Sequence, residues 1–172
     1  MIEFEIRDEQ GSDLTAVDSL VTAAFGSDGD TARFVDEVRR KAKVCLAEVA
    51  LADGMIVGQA QWCDAPVIVD GGRVKGAYLT ELSARPELQR RGIGSRLVRN
   101  GLRRLKDNGY EVATLLGDPD YYARFGFSPV LAERIEARHR SRGRGFQAIE
   151  LVAGALDGRI IRAEFPDVIA PE

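Results

Sequence analysis

Ala77-Tyr78-Leu79-Thr80-Glu81-Leu82-Ser83-Ala84, then Arg85-Pro86, then Gln89-Arg90-Arg91-Gly92-Ile93-Gly94 is the stretch on which the reading of this chain turns. The first run reads as a strand, and it stops at Arg85-Pro86. Proline cannot donate to a sheet ladder, and it pushes the residue before it out of the helical region. Beyond the glycines, Ile93, Leu97, Val98, Gly101, Leu102 and Leu105 recur at helical spacing, with Arg96, Arg99, Arg103, Arg104 and Lys106 on the other face. A strand therefore enters a short glycine-bearing loop, and the loop opens a long amphipathic helix. The first N–H groups of a helix have no internal partner and sit at the positive end of its dipole. Two readings of Gly92 and Gly94 follow. They relieve a tight turn, or they let backbone N–H groups converge on a phosphate or pyrophosphate.

Two familiar phosphate loops do not apply. No Gly-x-x-x-x-Gly-Lys-Ser/Thr run occurs, which argues against a nucleoside-triphosphate loop, and Leu97 stands where a dinucleotide fingerprint needs its third glycine. Gln89 to Gly94 resembles instead the Gln/Arg-x-x-Gly-x-Gly/Ala signature of the GNAT superfamily of N-acetyltransferases. A second match follows in the expected order. Glu111 to Leu116 reads as the next strand, and Tyr122-Ala123-Arg124-Phe125-Gly126-Phe127 resembles the family's Tyr-x-x-x-Gly-Phe element. The wider run from Gly117 to Phe127 is similar to a bacterial branch of that family. The resemblance is strong over Ala77 to Val130.

The resemblance implies an α/β (α+β) domain with a mostly antiparallel mixed sheet, flanked by helices and splayed between two central strands. It implies acetyl-coenzyme A as co-substrate, no metal, and a small-molecule or peptide amine as acceptor. Gln89, Arg90, Arg91, Gly92, Ile93, Gly94 and Ser95 would then hold the pyrophosphate. Leu82, Ser83 and Ala84 would meet the pantetheine arm through their backbone, with the Leu82 N–H polarising the thioester carbonyl. Tyr121 and Phe125 would be further cofactor contacts. Tyr122 matches the tyrosine that protonates the departing sulfur, and a phenol suits a thiolate of comparable basicity. Read from the residues alone, Tyr122 is rather a core aromatic packing with Tyr121, Phe125 and Phe127. Glu81 stands where family members carry a carboxylate near the amine. It is a base acting through water, a contact for a cationic substrate, or one half of an ion pair. Many members carry an Asn after the second strand, where this chain has Gly117-Asp118-Pro119. Asp118 takes the Asn's role or caps the following helix, since Asp before Pro is a helix-start signal.

Composition agrees with a globular enzyme. The 172 residues suit one domain, residues 1–172, with 45% hydrophobic and 30% charged side chains. Cys45 and Cys63 have no metal or redox spacing and read as buried thiols. The acidic start, without a signal segment, and the lack of a long apolar run lead us to expect a cytoplasmic protein away from membranes, as monomer or homodimer. The net charge of −3 argues against nucleic acid. Arg134, Arg138, Arg140, Arg142 and Arg144 form a basic stretch, read as a solvated loop or a platform for acidic groups. His139, within it, reads as a surface residue. Asp28, Asp30, Asp36 and Glu37 gather in the first helical region and would suit a cationic amine. A coenzyme A-sensing module without catalysis is the rival from another class.

The remaining pattern is a strand over Glu3 to Arg7, a helix through Leu14 to Ala24, and a second through Phe34 to Ala42. Strands Val44 to Ala52 and Met55 to Cys63 flank Asp53-Gly54, a hairpin signal. Val67 to Val69 and Arg73-Val74 flank Asp70-Gly71-Gly72. Phe146 to Val152 and Arg159 to Ala163 read as late strands.

Overall fold

The computed structural model describes residues 3–26, 29–137 and 145–169. Arg138 to Arg144, with His139, and Asp28 lie outside the described residues. Two sheets organise the chain. The larger has the order β1-β2-β3-β6-β7-β8, formed by Glu5–Asp8, Val44–Ala52, Met55–Asp64, Gly76–Ala84, Val112–Leu116 and Phe146–Glu150. Every neighbouring pair is antiparallel except β6 with β7. The smaller sheet, β5-β4-β9, joins Gly72–Val74, Val67–Val69 and Ile161–Ala163. The mixed, mostly antiparallel sheet agrees with expectation.

Helices α1 (Leu14–Phe25) and α2 (Asp30–Lys41) cover one face of the large sheet, and α3 (Ile93–Asp107) covers the other. The α3 stripe of Ile93, Leu97, Val98 and Leu105 is buried against Val57, Ala60, Trp62 and Leu79. Its arginines face outward, and Arg104 pairs with the fully buried Glu48 at 2.8 Å. Opposite, Val17, Leu20, Val21 and Val35 close over Val49 and Ile56. The Asp53-Gly54 turn is as expected, with φ of 49° and 75° matching the twist of its strands. In the second turn only Asp70 and Gly71 have positive φ, and Gly72 already belongs to β5.

Several boundaries differ from expectation. Helix α2 begins at Asp30 rather than near Phe34, because its first turn is polar and carries no apolar periodicity. Strand β8 ends at Glu150, whose carboxylate accepts from the Leu156 N–H at 2.8 Å and turns the chain. The acidic residues of α2 are matched within their own helix: Asp30 with Arg33, Asp36 with Arg40 at 3.1 Å, and Glu37 with Lys41. This neutralised surface removes the attraction for a cationic amine expected there. Cys45 and Cys63 are both free thiols, and burial pushes Cys45 up to about 11.

The feature that positions the site is a mismatch between β3 and β6. Gln61 pairs with Glu81, but the next partners are Trp62 and Leu79, so Thr80 is an extra residue. Such a bulge exchanges the faces of everything beyond it. Leu79 points into the α3 core; without the bulge Glu81 would follow it there. Instead Leu82 and Ala84 pack on the α3 side, while Glu81 and Ser83 turn beneath α1 and α2.

Candidate active site

Strand β6 pairs with β7 only from Gly76 to Leu79, opposite Val112 to Leu115. Beyond Leu79 the two parallel strands separate, and β6 continues alone on that side to Ala84. The Arg85 N–H donates to the Val57 carbonyl at 3.0 Å, on the β3 side. Backbone groups alternate along a strand, so Ser83 also faces β3 while Leu82 and Ala84 turn their N–H and C=O into the gap. The Gln89 amide, donating to the Ala84 carbonyl at 3.4 Å, ties the loop to this edge.

The gap opens into a cleft of about 830 Å³. Its walls are β6 at Leu82 to Ala84, the loop and helix start from Leu88 to Ser95, and the segment from Asp118 to Arg124. Arg90 and Gly92 both have positive φ, 60° and 88°. The glycine adopts this geometry freely, whereas the arginine is strained by it, as residues at ligand-gripping loops often are. The first helical bond runs from the Arg96 N–H to the Gly92 carbonyl at 3.0 Å. The N–H groups of Ile93, Gly94 and Ser95 precede it and face the cleft mouth without a helical acceptor. A Cβ on Gly94 would stand 2.9 Å from the Tyr121 hydroxyl. A helix start with spare N–H groups, and with a glycine whose side chain would crowd the Tyr121 hydroxyl, fits a pyrophosphate.

Tyr121 and Tyr122 come from α4 (Pro119–Tyr122), which Asp118 caps by accepting from the Asp120 N–H at 3.0 Å, with Pro119 at the first helical position. Of the two roles open to Asp118, the cap is observed, and the residue lines the cleft as well. The two rings meet edge to face at 4.9 Å, and Tyr122 meets Phe127 at 5.9 Å. Gly117 leaves space for Tyr122, since a Cβ there would lie 2.5 Å from its ring. Tyr122 therefore packs on the core and lines the cleft together. Burial, chiefly, with the neighbouring Tyr121 and Glu81 adding to it, raises its phenol well above the ordinary value, so it is protonated at neutral pH.

Glu81 lies 5% exposed on the α1–α2 side of the sheet, not in the cleft lining. Burial pushes its carboxyl up to about 7, against the opposing pull of the Ser83 hydroxyl and the Arg39 charge. Such a group divides itself between acid and base near neutrality. Phe125 also stands outside the lining; it supports Tyr121 at 5.5 Å and carries the Arg99 guanidinium at 5.2 Å. Arg91 is exposed beside the cleft rather than in its wall. Three wall residues escaped the sequence reading: Leu88, Asp120 and Arg124. Arg124 had a signal, standing three residues after Tyr121, one helical turn on. It donates to the Tyr121 carbonyl at 2.8 Å and lies over that ring at 4.7 Å.

Among the described residues no acidic, histidine or cysteine group forms a metal site, and no helix is long and apolar enough to cross a membrane. The model of the acetyltransferase (GNAT) domain family matches residues 5–130. YhbS of Escherichia coli K12, an uncharacterized N-acetyltransferase, is 30% identical over 154 residues, 89% of this chain and 90% of its own. The crystal structure of E. coli YhbS in complex with coenzyme A superposes with a TM-score of 0.84 at 26% identity, covering 98% of this chain and 92% of that one. A GNAT family acetyltransferase from Brucella melitensis, in complex with acetyl-coenzyme A, follows with a TM-score of 0.67 at 31% identity, over 87% and 89% of the chains. With its strand-loop-helix turn, splayed sheet and cleft tyrosines, the chain belongs to the GNAT superfamily of N-acetyltransferases.

Proposed function

We propose that this enzyme transfers acetyl directly from acetyl-coenzyme A to a primary amine, with no covalent enzyme intermediate. The observation that carries the proposal is the Leu82 N–H turned into the gap between β6 and β7, between the Gly92–Gly94 cradle and Tyr122. The backbone from Arg90 to Ser95 holds the pyrophosphate, and the pantetheine arm follows the free edge of β6 at Leu82 and Ala84, with Ser83 between them. Gln89 and Arg91 set the loop, and Tyr121, backed by Phe125, closes over it.

The amine nitrogen attacks the thioester carbonyl carbon. As the C–N bond forms, negative charge gathers on the carbonyl oxygen, where the Leu82 N–H stabilises it. The C–S bond then breaks, and the sulfur takes the Tyr122 proton. The proton leaving nitrogen passes to Glu81 through a water. Tyr122 is protonated at neutral pH and the Glu81 carboxyl lies near 7, so an acid for the sulfur and a base for the amine are both at hand. They also weigh against a sensing module, which gains nothing from burying a carboxyl at a cost in stability.

Gly94→Val tests the cradle. The side chain would enter space held by the Tyr121 hydroxyl and the phosphate, and we expect acetyl-coenzyme A affinity to fall by about 10²-fold or more with the fold intact. Gly92→Val should weaken binding for a different reason, since its φ of 88° disfavours a branched side chain. Calorimetric titration reads both. Unchanged affinity in both variants would make the loop a turn and nothing more.

A further inference from the structure

The face of the sheet beneath α1 and α2 holds a row of polar side chains, of which the transfer chemistry uses Glu81 alone. Gln59 and Gln61 stand alternately on β3, opposite Ser83 and Glu81 on β6. Gln59 and Gln61 are fully buried, and Ser83 and Glu81 are 4% and 5% exposed. Gln59 Oε1, Gln61 Oε1 and Glu81 Oε1 accept no hydrogen bond of ordinary geometry, and Ser83 Oγ makes none, although its hydroxyl lies near enough to Glu81 to pull on the carboxyl. The amide nitrogens are used. Gln59 Nε2 donates to Glu9 at 3.3 Å, and Gln61 Nε2 donates to the Val35 carbonyl at 3.4 Å and the Thr80 hydroxyl at 3.2 Å. These bonds fix both amides with their oxygens unmatched. The nearby cation is spent, because Arg39 grips Glu9 at 3.1 and 2.9 Å.

Buried polar atoms in a native protein are nearly always paired, so four orphans in two adjacent cross-strand pairs call for a cause. The two amide oxygens only accept hydrogen bonds, the Glu81 carboxylate does the same when ionised, and the Ser83 hydroxyl can do so. What satisfies them is a molecule rich in N–H donors. The pairs lie two strand residues apart, about 7 Å along the sheet. The first pair includes Glu81, where the reacting nitrogen arrives. The second, Gln59 with Ser83, sits one donor group further on.

We propose that the acceptor is an aliphatic diamine or polyamine, bound along this row, with Gln59 and Gln61 as specificity-determining residues. The inference rests on the amine transfer proposed above and names its substrate class. The reacting nitrogen lies at the Glu81–Gln61 pair, and a second protonated nitrogen donates to Gln59 Oε1 and Ser83 Oγ. Binding requires α1 and α2 to part from the sheet, and the unsatisfied oxygens beneath them lower the cost of that opening. An acceptor with a carboxylate at the far position meets only oxygens and is refused. An acceptor with a methyl there leaves the pair orphaned, the strong form of discrimination available to a hydrogen-bonding site.

Putrescine, n-butylamine and γ-aminobutyrate share a carbon chain and differ at the far end alone. With acetyl-coenzyme A we expect kcat/KM for putrescine to exceed that for n-butylamine by about 10²-fold, with γ-aminobutyrate lowest. In Gln59→Leu the putrescine advantage should collapse, mainly through KM, while the n-butylamine rate stays. Equal rates for putrescine and n-butylamine in the parent enzyme would overturn the proposal without any variant. A binding readout separates this inference from the reaction it rests on. Calorimetric titration of the coenzyme A-saturated protein should detect putrescine and not n-butylamine, even where no acetyl is transferred. If neither amine binds, or both bind equally, the row is not an acceptor subsite.

Discussion

Tyr122→Phe should bind acetyl-coenzyme A as tightly as the parent enzyme and turn over about 10²-fold more slowly or worse. The substitution removes one oxygen and keeps the ring, so the edge contacts to Tyr121 at 4.9 Å and Phe127 at 5.9 Å survive. The core beneath is therefore undisturbed, and stability should change little. What is lost is the proton for the departing sulfur. Without it the leaving group departs as a thiolate exposed to the cleft, and the barrier to C–S cleavage rises. Because burial lifts the phenol well above its ordinary value, the parent enzyme should show no descending limb at the usual tyrosine pH. Pre-steady-state thiol release separates binding from this step. Equal rates in the two enzymes would leave Tyr122 as a packing residue.

Glu81→Gln should cost about 10²–10⁴-fold in kcat and flatten the rise of rate with pH. The parent enzyme's limb should lie near the carboxyl's raised value of about 7, because the base works only when ionised. If Glu81 instead holds a cationic acceptor, the variant raises KM and leaves the limb in place. If the amine arrives already neutral, the limb follows the acceptor's own basicity; two acceptors of different pKa distinguish this case.

Stability offers a second reading of the same residue. A carboxyl raised from 4.5 to about 7 on folding favours the folded state fully below about pH 4.5, and that advantage is lost as pH rises through about 7. The difference corresponds to roughly 3 kcal/mol. Glu81→Gln lacks this dependence. Its stability relative to the parent, measured by denaturant unfolding, should therefore improve by that order between the acid and alkaline ends. A gap independent of pH would mean that Glu81 is not held in its raised state. Activity bought with a strained carboxyl is a familiar exchange.

What was legible in advance was local. The Asp53-Gly54 hairpin, the cap at Asp118-Pro119 and the glycine-bearing helix start after Gln89 each depend on neighbours within a few residues. The pairing of Asp36 with Arg40 and Glu37 with Lys41 was also within reach, since the spacing is one helical turn. Read without those partners, the acidic residues look like a cation site, which their pairing removes. The extra residue at Thr80 was not legible. A bulge is set by how two strands register against each other, and β6 alone alternates in either phase. The placement of Glu81 under α1 and α2, outside the cleft lining, depends on it. The Gln59–Ser83 and Gln61–Glu81 pairs were hidden for the same reason: in β3 those glutamines look like the polar half of an ordinary strand. Phe125 shows the limit of a motif, since it lies next to cleft residues in sequence yet supports the site from behind.

Direct transfer to an amine is tested most plainly by mixing the purified enzyme with acetyl-coenzyme A, with and without a primary amine. Free thiol, acetylated amine and intact protein mass are followed together. The account predicts thiol release that depends on the amine, one acetylated amine for each thiol, and a protein mass without added acetyl. Acetyl carried on the protein before amine is added would contradict it, as would bound acetyl-coenzyme A with no acetylated product from any primary amine, putrescine included.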